Sequence, residues 1–246
     1  MRPSSIRLPM LLLALLPSLA AALSLSPTRL EVDLRASAVA EVELRIGGRP
    51  DRVQHVELSL LERLVDERVA PVAVDSISIE LQPPQLVIEP GGHGVVRVVA
   101  RRASGSAAAS RSYYLVVEPV EIADPATGTA SADDSRIQFV PRLHLPLHVD
   151  LGGQPASSIR RIADAQPQVE EDADGVGGEI EIVNRGSRYQ RLATLRAVGP
   201  VDALAGRELA RRARTDAVLP GQRLRIPLKA GELAGEPLGL FVVPEP

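Results

Sequence analysis

The sequence predicts an all-β chain of two antiparallel β-sandwiches behind an N-terminal export segment. Three observations lead there. Short runs of alternating apolar and polar residues recur roughly every 10–15 residues, with Gly, Pro and Asp between them. Few stretches carry a persuasive helical period. The length of 246 residues suits two units of roughly 100–130 residues, each able to enclose a core.

Arg2 and Arg7 precede an apolar run over residues 8–22 that ends Ala20-Ala21-Ala22. A basic start, a short apolar stretch and small residues at the end are the parts of a secretory signal. The run is shorter than the roughly 20 residues that span hydrocarbon, so cleavage is expected after Ala22, with no membrane insertion of the mature chain.

Strand texture begins at Leu25. Glu41-Val42-Glu43-Leu44-Arg45-Ile46 alternates and stops at Gly47-Gly48. Ile77, Ile79 and Leu81 fall on one face of a second alternating run. Residues 95–99 and 113–117 are denser β-branched or aromatic runs, of the kind covered on both faces. Two segments are ambiguous. Val56, Leu60, Leu61, Leu64 and Val65 fit a helix about as well as Val56, Leu58 and Leu60 fit a strand, and a strand is expected. Residues 203–214 have helix-favouring composition interrupted by Gly206, and a loop with at most a short helix is expected. Gly152-Gly153-Gln154-Pro155-Ala156-Ser157-Ser158 reads as a hinge. The expected organisation is an export signal at 1–22, a first domain at 23–151 and a second at 152–246.

Composition excludes more than it suggests. The chain has no cysteine, hence no disulfide scaffold, thiolate zinc site, iron–sulfur cluster or cysteine nucleophile. Aromatics make up 2% of the residues, so the cores are built from Val, Leu, Ile and Ala. The 28 basic and 31 acidic residues give a net charge of −3, which does not favour nucleic acid. His144 and His148 have the i, i+4 spacing of helical zinc ligands, but Pro146 between them argues for a strand. On a strand they share a face about 13 Å apart, too far to share a metal. No G-x-S-x-G, P-loop or G-x-G-x-x-G motif is present, and Gly91-Gly92-His93-Gly94 reads as a β-turn. No nucleophile, base and orienting group can be assembled by spacing. Neither an enzyme nor a cofactor is expected.

Five segments carry a resemblance. Pro83-Pro84-Gln85-Leu86-Val87-Ile88-Glu89-Pro90-Gly91 followed by Val95-Val96-Arg97-Val98 resembles the first domain of periplasmic pilus chaperones, the PapD-like family. Leu25-Ser26-Pro27-Thr28-Arg29-Leu30 looks like that family's first strand. Ser112-Tyr113-Tyr114-Leu115, running on to Glu118-Pro119, looks like its sixth, and residues 136–149 look like its long seventh. Ile182-Val183-Asn184-Arg185-Gly186 resembles the N-x-G turn of its second domain.

The resemblance implies two immunoglobulin-like β-sandwich domains in an L-shaped arrangement, and a non-enzymatic chaperone of the periplasm. Such a chaperone caps a pilus or fimbrial subunit by donating its seventh strand and delivers it to an outer-membrane usher. Ile137 and Phe139 are then the side chains entering the subunit. Arg29 is the first basic anchor for the subunit's terminal carboxylate, and Arg142 or His144 the second, Arg142 being favoured for its permanent charge.

Departures are also visible. Arg111 stands where many members have an acid, so an interdomain salt bridge is not expected there. His144-Leu145-Pro146-Leu147 looks more like the archaic-type branch. The alternative is a periplasmic immunoglobulin-like binding or structural module not dedicated to pilus subunits.

Overall fold

Leu30, Leu44, Ile46, Val96, Val98, Leu115 and Leu147 are wholly enclosed, each at an alternate position of a strand. The computed structural model describes residues 23–66, 68–72, 77–103, 109–120, 141–162, 176–233 and 239–243. The export segment at 1–22 lies outside the described residues.

The first half of the chain runs through β1 (Ser24–Ser26), β2 (Leu30–Asp33), β3 (Val39–Gly47), β4 (Gln54–Arg63), β5 (Val69–Pro71), β6 (Ile77–Gln82), β7 (Gln85–Ile88), β8 (His93–Arg102), β9 (Arg111–Val120) and β10 (Leu143–Asp150). One sheet has the order β1-β3-β8-β6. The other has the order β2-β10-β9-β4-β5, with β7 also paired to β4. The apolar sides of the two sheets meet in one core. The first described segment changes sheets between β1 and β2. β1 lies antiparallel to β3, whereas β2 lies parallel to the end of β10, with Leu30 opposite Leu147 and Asp33 opposite Asp150.

The alternation expected for β3 and β6 is present. The ambiguous segment is strand β4, in which Val56 and Leu58 point into the core while Leu61 is half-buried on the opposite side. The run at 95–99 departs from expectation, because Val95 and Arg97 are exposed and alternate with buried Val96 and Val98. That face of β8 is solvated at Val95 and Arg97, whereas Val99 further along it is buried. In β9, Leu115, Val116 and Val117 are all buried, as both-face coverage requires. Gly92 N–H donates to the Glu89 carbonyl at 2.8 Å, forming the expected turn ahead of β8.

Residues 151–156 have no regular structure and join β10 to the strands of a second core. These are β11 (Ser157–Ile162), β12 (Val176–Asn184), β13 (Gln190–Arg191), β14 (Leu195–Val198), β15 (Ala203–Ala205), then helix α1 (Gly206–Ala213), β16 (Ala217–Val218), β17 (Arg223–Lys229) and β18 (Gly239–Val242). Sheets β11-β12-β17 and β15-β14-β18, with the pair β13-β16, surround Ile180, Ile182, Leu192, Leu209, Leu224 and Ile226. The chain thus forms two β-sandwich domains of immunoglobulin-like type.

α1 is the short helix allowed for in residues 203–214, and Gly206 opens it for a steric reason. A Cβ there would lie 2.1 Å from the Leu192 carbonyl oxygen and 2.5 Å from that of Leu195. Glu208 in the first turn and Arg211 and Arg212 in the last complement the helix dipole.

The N-x-G segment is a junction of three chain pieces. Wholly buried Asn184 accepts the Gly186 N–H at 3.0 Å, and its amide nitrogen donates to the carbonyls of Arg188 at 2.7 Å and Val218 at 3.0 Å. Gly186 leaves room for the linker, since a Cβ would lie 2.1 Å from the Gln154 carbonyl oxygen. Asn184→Asp replaces two donated hydrogen bonds with a buried negative charge facing two carbonyls. It should lower unfolding free energy by about 3 kcal/mol, read as a fall in the urea midpoint with unchanged m-value.

Candidate functional site

Strand period decides what β10 presents to each side. Leu143, Leu145, Leu147 and Val149 point into the first core, which leaves His144, Pro146, His148 and Asp150 on the outer face. β9 adds Ser112, Tyr114 and Val116 to that face by the same alternation, β4 adds Leu61 and Arg63, and β2 adds Glu31. The second sandwich packs on the end of this face nearest the linker.

The contact is polar and centred on Asp216, just before β16. Its carboxylate accepts a hydrogen bond from Arg63 Nη1 at 2.9 Å and lies 2.7 Å from His148 Nε2. Arg63 also donates to Thr215 Oγ1 at 2.7 Å. The His148 ring is 0% exposed, with Nδ1 2.7 Å from Ser112 Oγ, and it stacks on Tyr189 with centroids 4.5 Å apart. Beside it, Arg188 pairs with Asp150 at 2.7 Å and Ser110 N–H donates to the Ser187 carbonyl at 2.8 Å. Burial alone would raise the pKa of Asp216. The hydrogen bond and charge of His148, followed by those of Arg63, overcome it and hold the carboxyl well below the usual carboxylate range. Burial first, then the negative charges of Glu31 and Asp150, push the Tyr189 hydroxyl up to about 12.

Ser112, His148 and Asp216 are a hydroxyl, an imidazole and a carboxylate in sequence, a set that spacing could not assemble. Ser112 is 4% exposed and Asp216 is also engaged by Arg63, so the set acts as a latch between sandwiches. Asp216, Arg63, Tyr189 and Arg188 escaped sequence reading because nothing along the chain links 63, 148 and 216. His148 alone left a signal, as a histidine facing away from an alternating apolar run.

The structure places three of the five residues expected at the site. Arg29 stands just before β2, with Nε 3.0 Å from Glu31 Oε1. His144 lies on the outer face of β10, and its ring is 5.4 Å from that of Tyr114, which carries Arg63 Cζ 4.8 Å above its own centroid. Arg142 precedes β10, is 64% exposed and pairs with Glu118 at 2.9 Å. Ile137 and Phe139 lie outside the described residues. Leu30 pairs with Leu147, so the register puts Arg29 level with Pro146, about 7 Å along the strand from His144 and about 13 Å from Arg142. Arg111 pairs with Glu62 at 2.8 Å inside the first sandwich, and the charge contact between sandwiches runs instead through Arg63 and Asp216.

From Leu143 to Pro146, β10 pairs with β9 on one side, and among the described residues no strand pairs with its other side; β2 begins only opposite Leu147. No cluster of His, Asp and Glu that could hold a metal occurs among the described residues.

No protein-family model matches the chain, and no curated protein matches its sequence. Its fold does match solved structures. The E. coli chaperone DraB is 16% identical, with 85% of this chain and 88% of that chain covered and a TM-score of 0.52. A Salmonella enterica SafA pilin in complex with the SafB chaperone matches at 12% identity, over 90% of this chain and 96% of that chain, with a TM-score of 0.52. The class 5 fimbriae chaperone CfaA matches at 8% identity, over 91% of this chain and all of that chain, with a TM-score of 0.51. At these identities the likeness establishes the fold, which is that of the fimbrial chaperones.

The latch has a defined pH dependence. The carboxyl of Asp216 is more acidic when docked than when free, so docking is favoured at pH above the free value, about 4, and weakens as pH falls below it. The protection of the Ser110 amide, whose N–H crosses the junction, measured relative to its intrinsic exchange rate at each pH, should fall below about pH 4. Asp216→Asn should flatten that dependence and, by stranding Arg63 and His148, cost about 3 kcal/mol of junction stability at neutral pH.

Proposed function

We propose, with the fimbrial-chaperone fold as premise, that this chain is a periplasmic chaperone without catalytic activity. It binds a pilus or fimbrial subunit in the cleft, completes it by lending the strand that runs through residues 136–149, and passes it to an outer-membrane usher. The domains are read as 23–151 and 152–246, after an export signal at 1–22.

The observation that carries this reading is the half-paired stretch of β10. Its open side offers backbone donors and acceptors to an incoming strand, which is how strand addition gains affinity. Side chains at alternate positions then enter the partner, and Ile137 and Phe139, outside the described residues, are the ones assigned to this role by the family resemblance. Pro146 has no N–H and stands one residue before β2 takes the edge, so it marks the end of what can be lent. Anchoring of the subunit's terminal carboxylate is assigned to Arg29, with Arg142 or His144 as the second group. The register favours His144 by proximity, and permanent charge favours Arg142.

Co-expression with candidate subunits, followed by mass spectrometry of what stays bound, tests the reading. Arg29→Ala should reduce co-purified subunit at least tenfold while leaving the circular dichroism and melting of the chaperone unchanged. His144→Ala and Arg142→Ala separate the two candidates for the second anchor, the true one matching the loss in Arg29→Ala. Full recovery of subunit by Arg29→Ala would remove the carboxylate anchor, and capture of no subunit by the parent protein would overturn the chaperone role.

A further inference from the structure

Three features outside the latch compete for a function. The exposed apolar strand β18, with Phe241 and Val242, has nothing on it to identify an occupant. The outer face of β3 and β8 is a ladder of charges in which Arg97 lies 3.7 Å from Glu41, the character of a solvated surface. The third feature is Tyr114, on the outer face of β9. Its direct neighbours across the sheet are Pro146 on β10 and Leu61 on β4, neither of which carries a charge or an aromatic ring. A side chain as long as tyrosine also reaches diagonal neighbours, and here these are His144, two residues before Pro146, and Arg63, two residues after Leu61. The His144 ring centroid lies 5.4 Å from that of Tyr114 at an interplanar angle of 50°, and Arg63 Cζ lies 4.8 Å above the Tyr114 ring. One ring on the middle strand thus meets both the open stretch of β10 and a cation of the latch.

We propose that Tyr114 is a positioning residue that ties the open stretch of β10 to the latch, so that a strand added beside His144 tightens the docking of the two sandwiches. This deepens the subunit-binding reading and rests on it for the identity of the partner. Arginine can serve two neighbours at once, because its donors lie in the guanidinium plane and its flat face is left for a ring. Arg63 spends those donors on Asp216 at 2.9 Å and Thr215 at 2.7 Å, with its side chain 7% exposed. Tyr114 therefore holds the group whose direction decides whether the latch closes. The connections also return to β10, since Asp216 binds His148, four residues after His144 on the same strand. The open and built-in halves of β10 are joined in this way through β9, β4 and the second sandwich. His144 is exposed, and Tyr114 is the ring it rests on. An added strand makes its outer-face side chains cross-strand neighbours of His144. That stills His144, then Tyr114, and lowers the entropy Arg63 gives up in holding Asp216. By reciprocity the docked latch favours the added strand to the same degree. The coupling is the same whichever basic group receives the partner's carboxylate.

Protection of the Ser110 amide, whose N–H crosses the junction to the Ser187 carbonyl, is the readout, taken at neutral pH in the two-domain protein. Tyr114→Leu should lower it roughly fivefold, and Tyr114→Phe, which keeps the ring, should leave it unchanged. Substitutions at separated sites without shared partners have additive effects, whereas members of one network do not. His144→Ala should accordingly lower Ser110 protection about twofold in the parent and not at all in the Tyr114→Leu background. His144→Ala should also move the Arg63 Nε–Hε resonance, a measurement that leaves Tyr114 in place and stands even where Tyr114→Leu does not fold. Full protection in a folded Tyr114→Leu, an equal effect of His144→Ala in both backgrounds, or an unmoved Arg63 resonance would overturn the proposal. A bound subunit should raise Ser110 protection in the parent and not in Tyr114→Leu. The substitutions are read without a subunit, so capture of none defeats the chaperone reading alone. A captured subunit that leaves Ser110 protection unchanged defeats this inference alone.

Discussion

The carboxylate of Asp216 is the point on which the relation between the two halves turns. It crosses from the turn before β16 to Arg63 on β4 and His148 on β10, and these two strands lie on either side of β9. A single anion therefore grips one sheet at two places, and Tyr189 closes over the imidazole. Each partner would be expensive alone in such an enclosed place, and together they satisfy one another. The surface beyond this contact is continuous with it, because β10 carries His144 further along from His148 and β9, between the two gripped strands, carries Tyr114.

The division of labour along β10 follows as well. Its second half, level with β2, is built into the sheet and holds the second sandwich through His148 and Asp150. Its first half pairs with β9 alone among the described residues. In the function proposed above, the built-in end would set the direction of an added strand and the open end would supply its backbone hydrogen bonds.

Much of this architecture was legible in the sequence because period-2 patterning reports directly on one-sided burial. β3 and β6 were clear for that reason, and the irregular stretch at 151–156 was signalled by its glycines and proline. β4 was ambiguous because its outer face becomes partly apolar toward the second sandwich. Leu61 is half-buried there, and an extra leucine on the off face mimics a helical stripe. The run in β8 looked covered on both sides because Val95 is apolar, although it faces solvent. Gly206 argued against a helix by propensity, yet it is required by the carbonyls of Leu192 and Leu195 that crowd the helix start. At the candidate site, Arg29, Arg142 and His144 were singled out only through local segments resembling the family, and they remain proposals. Asp216 could not be found in the sequence, because its partners His148 and Arg63 lie 68 and 153 residues away along the chain.

The parallel pairing of β2 with β10 ties the first described segment of the chain to residues more than a hundred positions later. That places the first sandwich at the high end of contact order, where folding is slow because loop-closure entropy is spent before the contacts form. The edge of β10 is completed only after the chain has delivered residues 147–150, so an emerging chain cannot close this sandwich early. The final pairing that commits the first sandwich to its shape is therefore the one that arrives last along the chain.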